Sequence, residues 1–459
     1  MKKKLGFYSI VLLTINSIIG TGIFLSPGSV VAKSGNKALM VYALAAIFSA
    51  VLAVTFAAAA KYVSKGGAAY AYTKAAFGDD LGYYVGITRY VAAGIAWGVM
   101  GTAVVKTVLK IFGLNYESLT TVTIGFMVLM GILMIINLLG TRVFEIINNL
   151  STIGKVGALV TTIIVGLVMV LFLGENNYSA INNLTDDAGQ VLGSNLDITG
   201  WVTAVIAAFY AFTGFESVAS ASEDMEEPEK NLPRAIPLAI GIIAVIYMGI
   251  VGIAMAINPE ALVTSKEVVA LADVFSNRII RNLIIGGALV SMFGINVAAS
   301  FGTPRILESM SNQGQVPKIF SKRTENGFPI ASFLTTITIA VVIPLAFKFN
   351  MASIMIISSI SRFIQFVIVP ISIIMFYYGK QKEEVMPNVK RNFATDVIIP
   401  IIALGLTLVL LYKFNWVGQF TTVDDSGQTH ANMFAIISMI VGYVVLPAVL
   451  MTWSKLKRK

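Results

Sequence analysis

Long apolar runs joined by short polar connections make up almost the whole chain. Twelve can be traced, at about 7–33, 38–62, 82–112, 119–139, 146–174, 199–222, 235–257, 282–312, 329–348, 351–379, 395–414 and 432–454. Each is long enough to cross ~30 Å of hydrocarbon at about 1.5 Å per residue. The stretch from Val156 to Leu173 carries no charge, and no run shows the short alternating pattern of a barrel strand. The pattern therefore predicts an all-α polytopic membrane protein with twelve transmembrane helices. Two connections are less plain. Residues 66–80 predict an interfacial or re-entrant helix, and residues 258–277 an outer-loop helix that could serve as a lid.

The first run is interrupted at Asn16-Ser17-Ile18-Ile19-Gly20-Thr21-Gly22-Ile23-Phe24. Lipid offers no hydrogen-bond partner, so a Gly-x-Gly break must line a cavity or lie buried in protein. Half-helix N-termini suit anions, so the N–H groups of Thr21, Gly22 and Ile23 suggest a carboxylate site. Glycines let a ligand approach the backbone there. Spare carbonyls near Ile18 and Ile19 suit an ammonium group. The sixth run has a similar break, Tyr210-Ala211-Phe212-Thr213-Gly214-Phe215, followed by Glu216. Interrupted helices at matching positions of two halves point to a transporter site at the repeat interface. The expected organisation is an inverted five-plus-five repeat, 1–174 and 199–379, with 395–459 outside it. Together the two breaks would read the main-chain part of a small zwitterion.

Composition narrows this reading. The 459 residues are 56% hydrophobic and 12% charged, against roughly a quarter charged in soluble chains. The net charge of +9 collects in connections, where it orients the protein rather than binding nucleic acid. Lys2, Lys3, Lys4, Lys61, Lys65, Arg142, Lys318 and Lys380 fall on one side, which places both termini in the cytoplasm. Lys106 and Lys110 run against that count. There is no cysteine, and His430 is the single histidine, so no metal or cofactor is expected. No nucleotide loop or nucleophile pair suggests an enzyme. Met1-Lys2-Lys3-Lys4 leads into a run too long for a cleavable signal.

Charges inside the runs carry the chemistry. Lys155 lies in the inner part of the fifth run, where an ammonium is a functional candidate by default unless it snorkels to the interface. Glu216 is either a proton-sensitive latch or a static hydrogen-bonded carboxylate. Arg362 lies too deep to snorkel; it lines a water path or pairs with a carboxylate. Arg89 is expected to snorkel inward. The inner rim, Arg142 with Glu145 and Glu223, Asp224, Glu226, Glu227 and Glu229 with Arg234, reads as a solvated face, with an inner gate as the alternative. Tyr83, Tyr84, Tyr90, Trp97, Trp201, Trp416 and Trp453 read as interface belts.

Ile19-Gly20-Thr21-Gly22-Ile23-Phe24 followed by Pro27 resembles the first-helix signature of the amino acid–polyamine–organocation transporters. Phe212 to Glu216, followed by Glu223, Pro228, Asn231, Pro233 and Arg234, is similar to their sixth-helix signature. Arg305-Ile306-Leu307 with Gly314 and Pro317 is a third match. The resemblance implies the leucine-transporter-type fold and alternating access. It carries the carboxylate site onto Thr21, Gly22 and Ile23, and the ammonium site onto carbonyls of Ile18, Tyr210 and Thr213. The aromatic gate falls on Tyr210, or else Phe209 or Phe215. Members that use no sodium have a lysine at the position of Lys155. Its ammonium would reach carbonyls near Asn16 and Ile19, with Ser291 a weaker partner. The resulting expectation is sodium-independent transport of an L-amino acid across the cell membrane, by proton symport or exchange, as a monomer or homodimer. No mid-membrane carboxylate is evident in spans 3, 8 or 10, which favours a neutral or aromatic side chain over an amine. An amine antiporter, a channel and a non-transporting sensor are the alternatives.

Overall fold

The computed structural model describes residues 4–20, 22–185, 189–194, 196–265, 269–346, 351–383, 385–414, 416–423 and 428–458. The chain is a helical bundle. Its elements are α1 (Phe7–Ile18), α2 (Gly22–Ser34), α3 (Ala38–Tyr62), α4 (Ala69–Phe77), α5 (Asp79–Ile111), α6 (Leu119–Leu138) and α7 (Thr141–Phe172). Then come α8 (Ile198–Tyr210), α9 (Phe215–Val218), α10 (Pro228–Ile257), α11 (Pro259–Thr264), α12 (Ala270–Asp273), α13 (Arg278–Asn312), α14 (Ile330–Ala346) and α15 (Met351–Tyr377). The chain ends with α16 (Ile399–Lys413), α17 (Trp416–Gln419), α18 (Met433–Ile440) and α19 (Leu446–Arg458). A short antiparallel hairpin, β1 (Thr421–Val423) with β2 (Thr429–Ala431), precedes α18 and sets His430 opposite Thr422.

Among the described residues, eight helices are long and apolar enough to cross a membrane, or nine if the bent pair α8–α9 is one span. Three shorter apolar stretches, Phe7–Ile18, Ile330–Leu345 and the Arg362–Tyr377 part of α15, fall within expected spans.

The side chains of α7 show why these helices belong in lipid. Ile146, Leu150, Ile153, Val160, Ile164, Leu167 and Leu171 recur at helical spacing and are exposed. The opposite face buries Asn148, Ser151, Thr152, Lys155 and Thr162. A water-soluble helix is built the other way round, with its apolar stripe inward. Polar groups turned inward and aliphatic groups outward suit a hydrocarbon solvent.

Close approach of helices relies on small residues, as membrane packing requires. A Cβ added to Gly98 of α5 would lie 2.4 Å from the Ala340 carbonyl oxygen of α14. One added to Gly28 of α2 would lie 2.3 Å from the Leu262 carbonyl oxygen of α11. The expected outer-loop helix is therefore two short helices, α11 and α12, with α11 seated on α2. The expected interfacial or re-entrant helix is α4; its residues 69–76 are buried in the bundle, which goes against the interfacial alternative. The aromatic-belt expectation fails for Tyr83, Tyr90 and Trp97, which are buried between helices. Trp97 meets Phe333 edge-on at 5.6 Å, and the Tyr90 hydroxyl lies 3.1 Å from Thr336 Oγ1.

Gly98→Ala will force α5 and α14 apart. The expected cost is about 1–3 kcal/mol of overpacking, read as a lower thermal unfolding midpoint in detergent. Gly131→Ala, where an added Cβ meets nothing within 4 Å, will leave the midpoint in place.

Candidate functional site

The two interrupted helices meet at the centre of the bundle. Helix α1 ends at Ile18, Ile19 turns to extended backbone, and α2 starts at Gly22. Helix α8 ends at Tyr210, and α9 starts after Gly214, whose φ of +126° suits only glycine. A Cβ on Gly214 would lie 2.1 Å from the Ser17 carbonyl oxygen, and one on Gly22 would lie 3.0 Å from the Ala211 Cα. The breaks are thus pressed backbone to backbone. A cavity of about 100 Å³ opens beside them. Ile18, Gly20 and Gly22 line it from the first break, and Tyr210, Ala211, Thr213 and Gly214 from the second.

Not every expected residue reaches this cavity. Ile19, Ile23 and Phe215 are fully buried and lie outside its lining. Phe215 stacks on Phe366, and Phe209 packs against Phe48, so neither is placed as an aromatic gate. Tyr210 lines the cavity and is 45% exposed. Its carbonyl accepts from Thr213 Oγ1 at 2.9 Å, and the Ala211 carbonyl accepts from the Tyr247 hydroxyl at 3.1 Å. Thr21 lies outside the described residues.

Lys155 does not snorkel; its side chain is wholly buried. Its Nζ donates to the carbonyls of Ile19 at 2.5 Å, Asn16 at 3.3 Å and Ser291 at 3.3 Å. Ser291 Oγ donates to the carbonyls of Ile19 and Gly20 at 2.9 and 3.1 Å. Asn16 Nδ2 reaches Asn148 Oδ1 at 2.8 Å and the Gly294 carbonyl at 2.9 Å. The C-terminal end of α1 is thereby held between α7 and α13. Gly294 permits this, since an added Cβ would lie 2.5 Å from Asn16 Oδ1.

The second break is held by charge. Glu216 is fully buried. Its Oε2 accepts from the Gly214 N–H at 2.8 Å, and its Oε1 from Arg362 Nε at 3.0 Å. Arg89 Nη2 lies 4.0 Å from Glu216 Oε1 and donates to Ser217 Oγ at 2.6 Å. Arg89 therefore does not snorkel to the interface; it is 3% exposed and lines the cavity together with Arg362. Sequence alone could not show this, because the same residue on a helix rotated by half a turn would reach the interface.

A further charged cluster lies below, at the end of the bundle that holds the chain's start. Asp224 bonds Arg305 Nε, and accepts from Arg323 Nη1 at 2.8 Å; Glu308 bonds Arg323 Nε. Leu5 N–H donates to the Asp224 carbonyl at 2.9 Å, and Glu226 N–H to the Leu5 carbonyl at 2.9 Å. The solvated-rim expectation holds for the exposed Lys230–Glu227 pair and fails for Asp224, which is buried with Arg305 and Arg323 rather than paired with Arg234. Burial works against the charge on Arg323. Its hydrogen bonds to Glu308 and Asp224 and their charges outweigh that, and hold its pKa above the ordinary value. This arginine stays charged at every physiological pH.

Glu216→Gln keeps the shape of the side chain and removes its charge, leaving two buried guanidiniums uncompensated. Losing one partner of a buried ion pair costs about 3–5 kcal/mol. The thermal midpoint of the purified variant in detergent should fall accordingly; an unchanged midpoint would show that the arginines do not depend on Glu216.

Comparison with known proteins agrees with this architecture. The family model described as amino acid permease matches residues 5–446. An uncharacterized transporter of Mycobacterium tuberculosis is 39% identical, over 97% of this chain and 93% of its own length. The methylthioribose transporter of Bacillus subtilis is 23% identical over 90% of this chain and 88% of its own length. The branched-chain amino acid permease of the same organism is 24% identical over 91% and 89%. With a permease model spanning nearly the full length, and apolar helices arranged around a polar centre, the chain is a multi-pass membrane protein of the amino acid permease family.

Proposed function

We propose that this permease moves an α-amino acid across the cell membrane by alternating access, without sodium. The carrying observation is the pair of helix breaks that face one cavity. The N–H groups at the start of α2 supply a site for the substrate carboxylate. Carbonyls at the end of α1 and around Tyr210 and Thr213 supply one for its ammonium group. The Lys155 ammonium stands where a bound cation would otherwise hold the end of α1. This supports a transporter that needs no sodium, with proton symport and exchange both compatible with it.

Twelve spans arranged as inverted repeats, 1–174 and 199–379, account for the matching positions of the two breaks. The Lys and Arg distribution supports cytoplasmic termini, and the Asp224 cluster then belongs to the cytoplasmic end. The branched-chain permease among the relatives supports an amino-acid substrate, while the name of the methylthioribose transporter shows that related chains reach other solutes. An amine antiporter is disfavoured, since the charged residues that line the cavity are both arginines. The same pair removes the basis for preferring a neutral or aromatic side chain, which rested on absent carboxylates alone.

The test is uptake into proteoliposomes loaded with a panel of amino acids, with and without a pH step. Flux is expected to rise under counter-substrate or an inward proton gradient, and to be the same in sodium and potassium buffers. Absence of flux under every loading would overturn the proposal. Lys155→Ala is expected to lower flux at least tenfold; unchanged flux in that variant would remove Lys155 from the transport cycle.

A further inference from the structure

The charge around the cavity does not balance. Arg89 and Arg362 are the charged residues in its lining, and Glu216 is the carboxylate that answers them. Both oxygens of Glu216 are engaged, Oε1 by Arg362 and Oε2 by the Gly214 N–H. Arg89 lies at 4.0 Å from that carboxylate and makes its hydrogen bond to a neutral hydroxyl, that of Ser217. Two guanidiniums against one carboxylate leave one positive charge beside the substrate cavity. A net cation deep in a membrane protein is costly and calls for a counter-charge.

The main chain of an amino acid does not supply it. As a zwitterion it adds no net charge, and the proposed site pairs its carboxylate with N–H groups and its ammonium with carbonyls. The missing negative charge must come from the side chain. Arginine matches a carboxylate in shape as well as charge, through paired N–H donors. The same field opposes lysine-like and polyamine side chains, which would face two cations.

Resting on the transport reading above, we propose that the substrate carries a second acid group, so that the permease selects acidic amino acids of the aspartate and glutamate type, with Arg89 as the residue that reads the side-chain carboxylate.

The experiment measures wild-type uptake of labelled glutamate, aspartate, leucine and lysine into proteoliposomes loaded with unlabelled glutamate, or with a mixture of neutral amino acids, in chloride and in gluconate. Glutamate or aspartate should enter at least tenfold faster than leucine or lysine, in both anions. Arg89→Gln should shift preference from glutamate toward glutamine by tenfold or more. Arg89→Lys, which keeps the charge but loses the paired donors, should retain part of the acidic preference. Size-exclusion profiles report whether each variant is folded, and the wild-type comparison stands if a variant is not. Leucine moving as fast as the acidic amino acids would overturn the inference and leave the transport reading intact. Neutral uptake that requires chloride would also overturn it, since a halide would then supply the counter-charge. No uptake of any amino acid would overturn both.

Discussion

An ammonium group has three N–H donors, and at the centre of this molecule three carbonyl oxygens take them. Two, from Asn16 and Ile19, are released where α1 stops, and the third belongs to Ser291 on α13. A helix interrupted inside hydrocarbon must find partners for such groups within the protein, because lipid has none. Lys155 and Ser291 provide them, and the end of α1 becomes fixed to α7 and α13. The second break depends on the same rule by another route. There a carboxylate, Glu216, takes the Gly214 N–H freed by the break, and arginines answer its charge. These inward-facing ions brace both breaks, and the cavity lies where the two breaks meet.

The placement of ions separates those that shape the molecule from those that decorate it. Lys230 and Glu227 meet in water, where solvent and salt screen the pair and it contributes little. Glu216 and Asp224 are enclosed, each shared by two arginines. Removing one partner from a buried pair costs several times as much as losing an exposed one. The two enclosed clusters lie on successive parts of one segment, Glu216 at the break and Asp224 eight residues on, at its end. Arg89 of α5, Arg362 of α15, Arg305 of α13 and Arg323 beyond it converge on that segment. Charge thus fixes this segment at both of its ends.

Legibility in the sequence followed the scale of the signal. The apolar runs and the Gly20-Thr21-Gly22 break could be read because each departs from a local rule, and a lone lysine in an apolar run does so too. Rotation about a helix axis leaves no such trace. Arg89 looks the same in sequence whether it reaches the interface or the cavity, and Trp97 whether it meets lipid or Phe333. Pairings across long separations were equally invisible. Arg305 and Arg323 lie far along the chain from Asp224, whereas the nearby Arg234 offered a false partner.

The attachment of Lys155 to the backbone has one more consequence. A cation bound from solution comes and goes with its concentration, so its occupancy tells the protein which side of the membrane is salt-rich. An ammonium on a four-carbon stem stays at the site at every salt concentration on either side. It holds the end of α1 in place, yet carries no information about an ionic gradient. A bundle fastened this way keeps the end of α1 pinned by one of its own side chains, whatever the salt on either side.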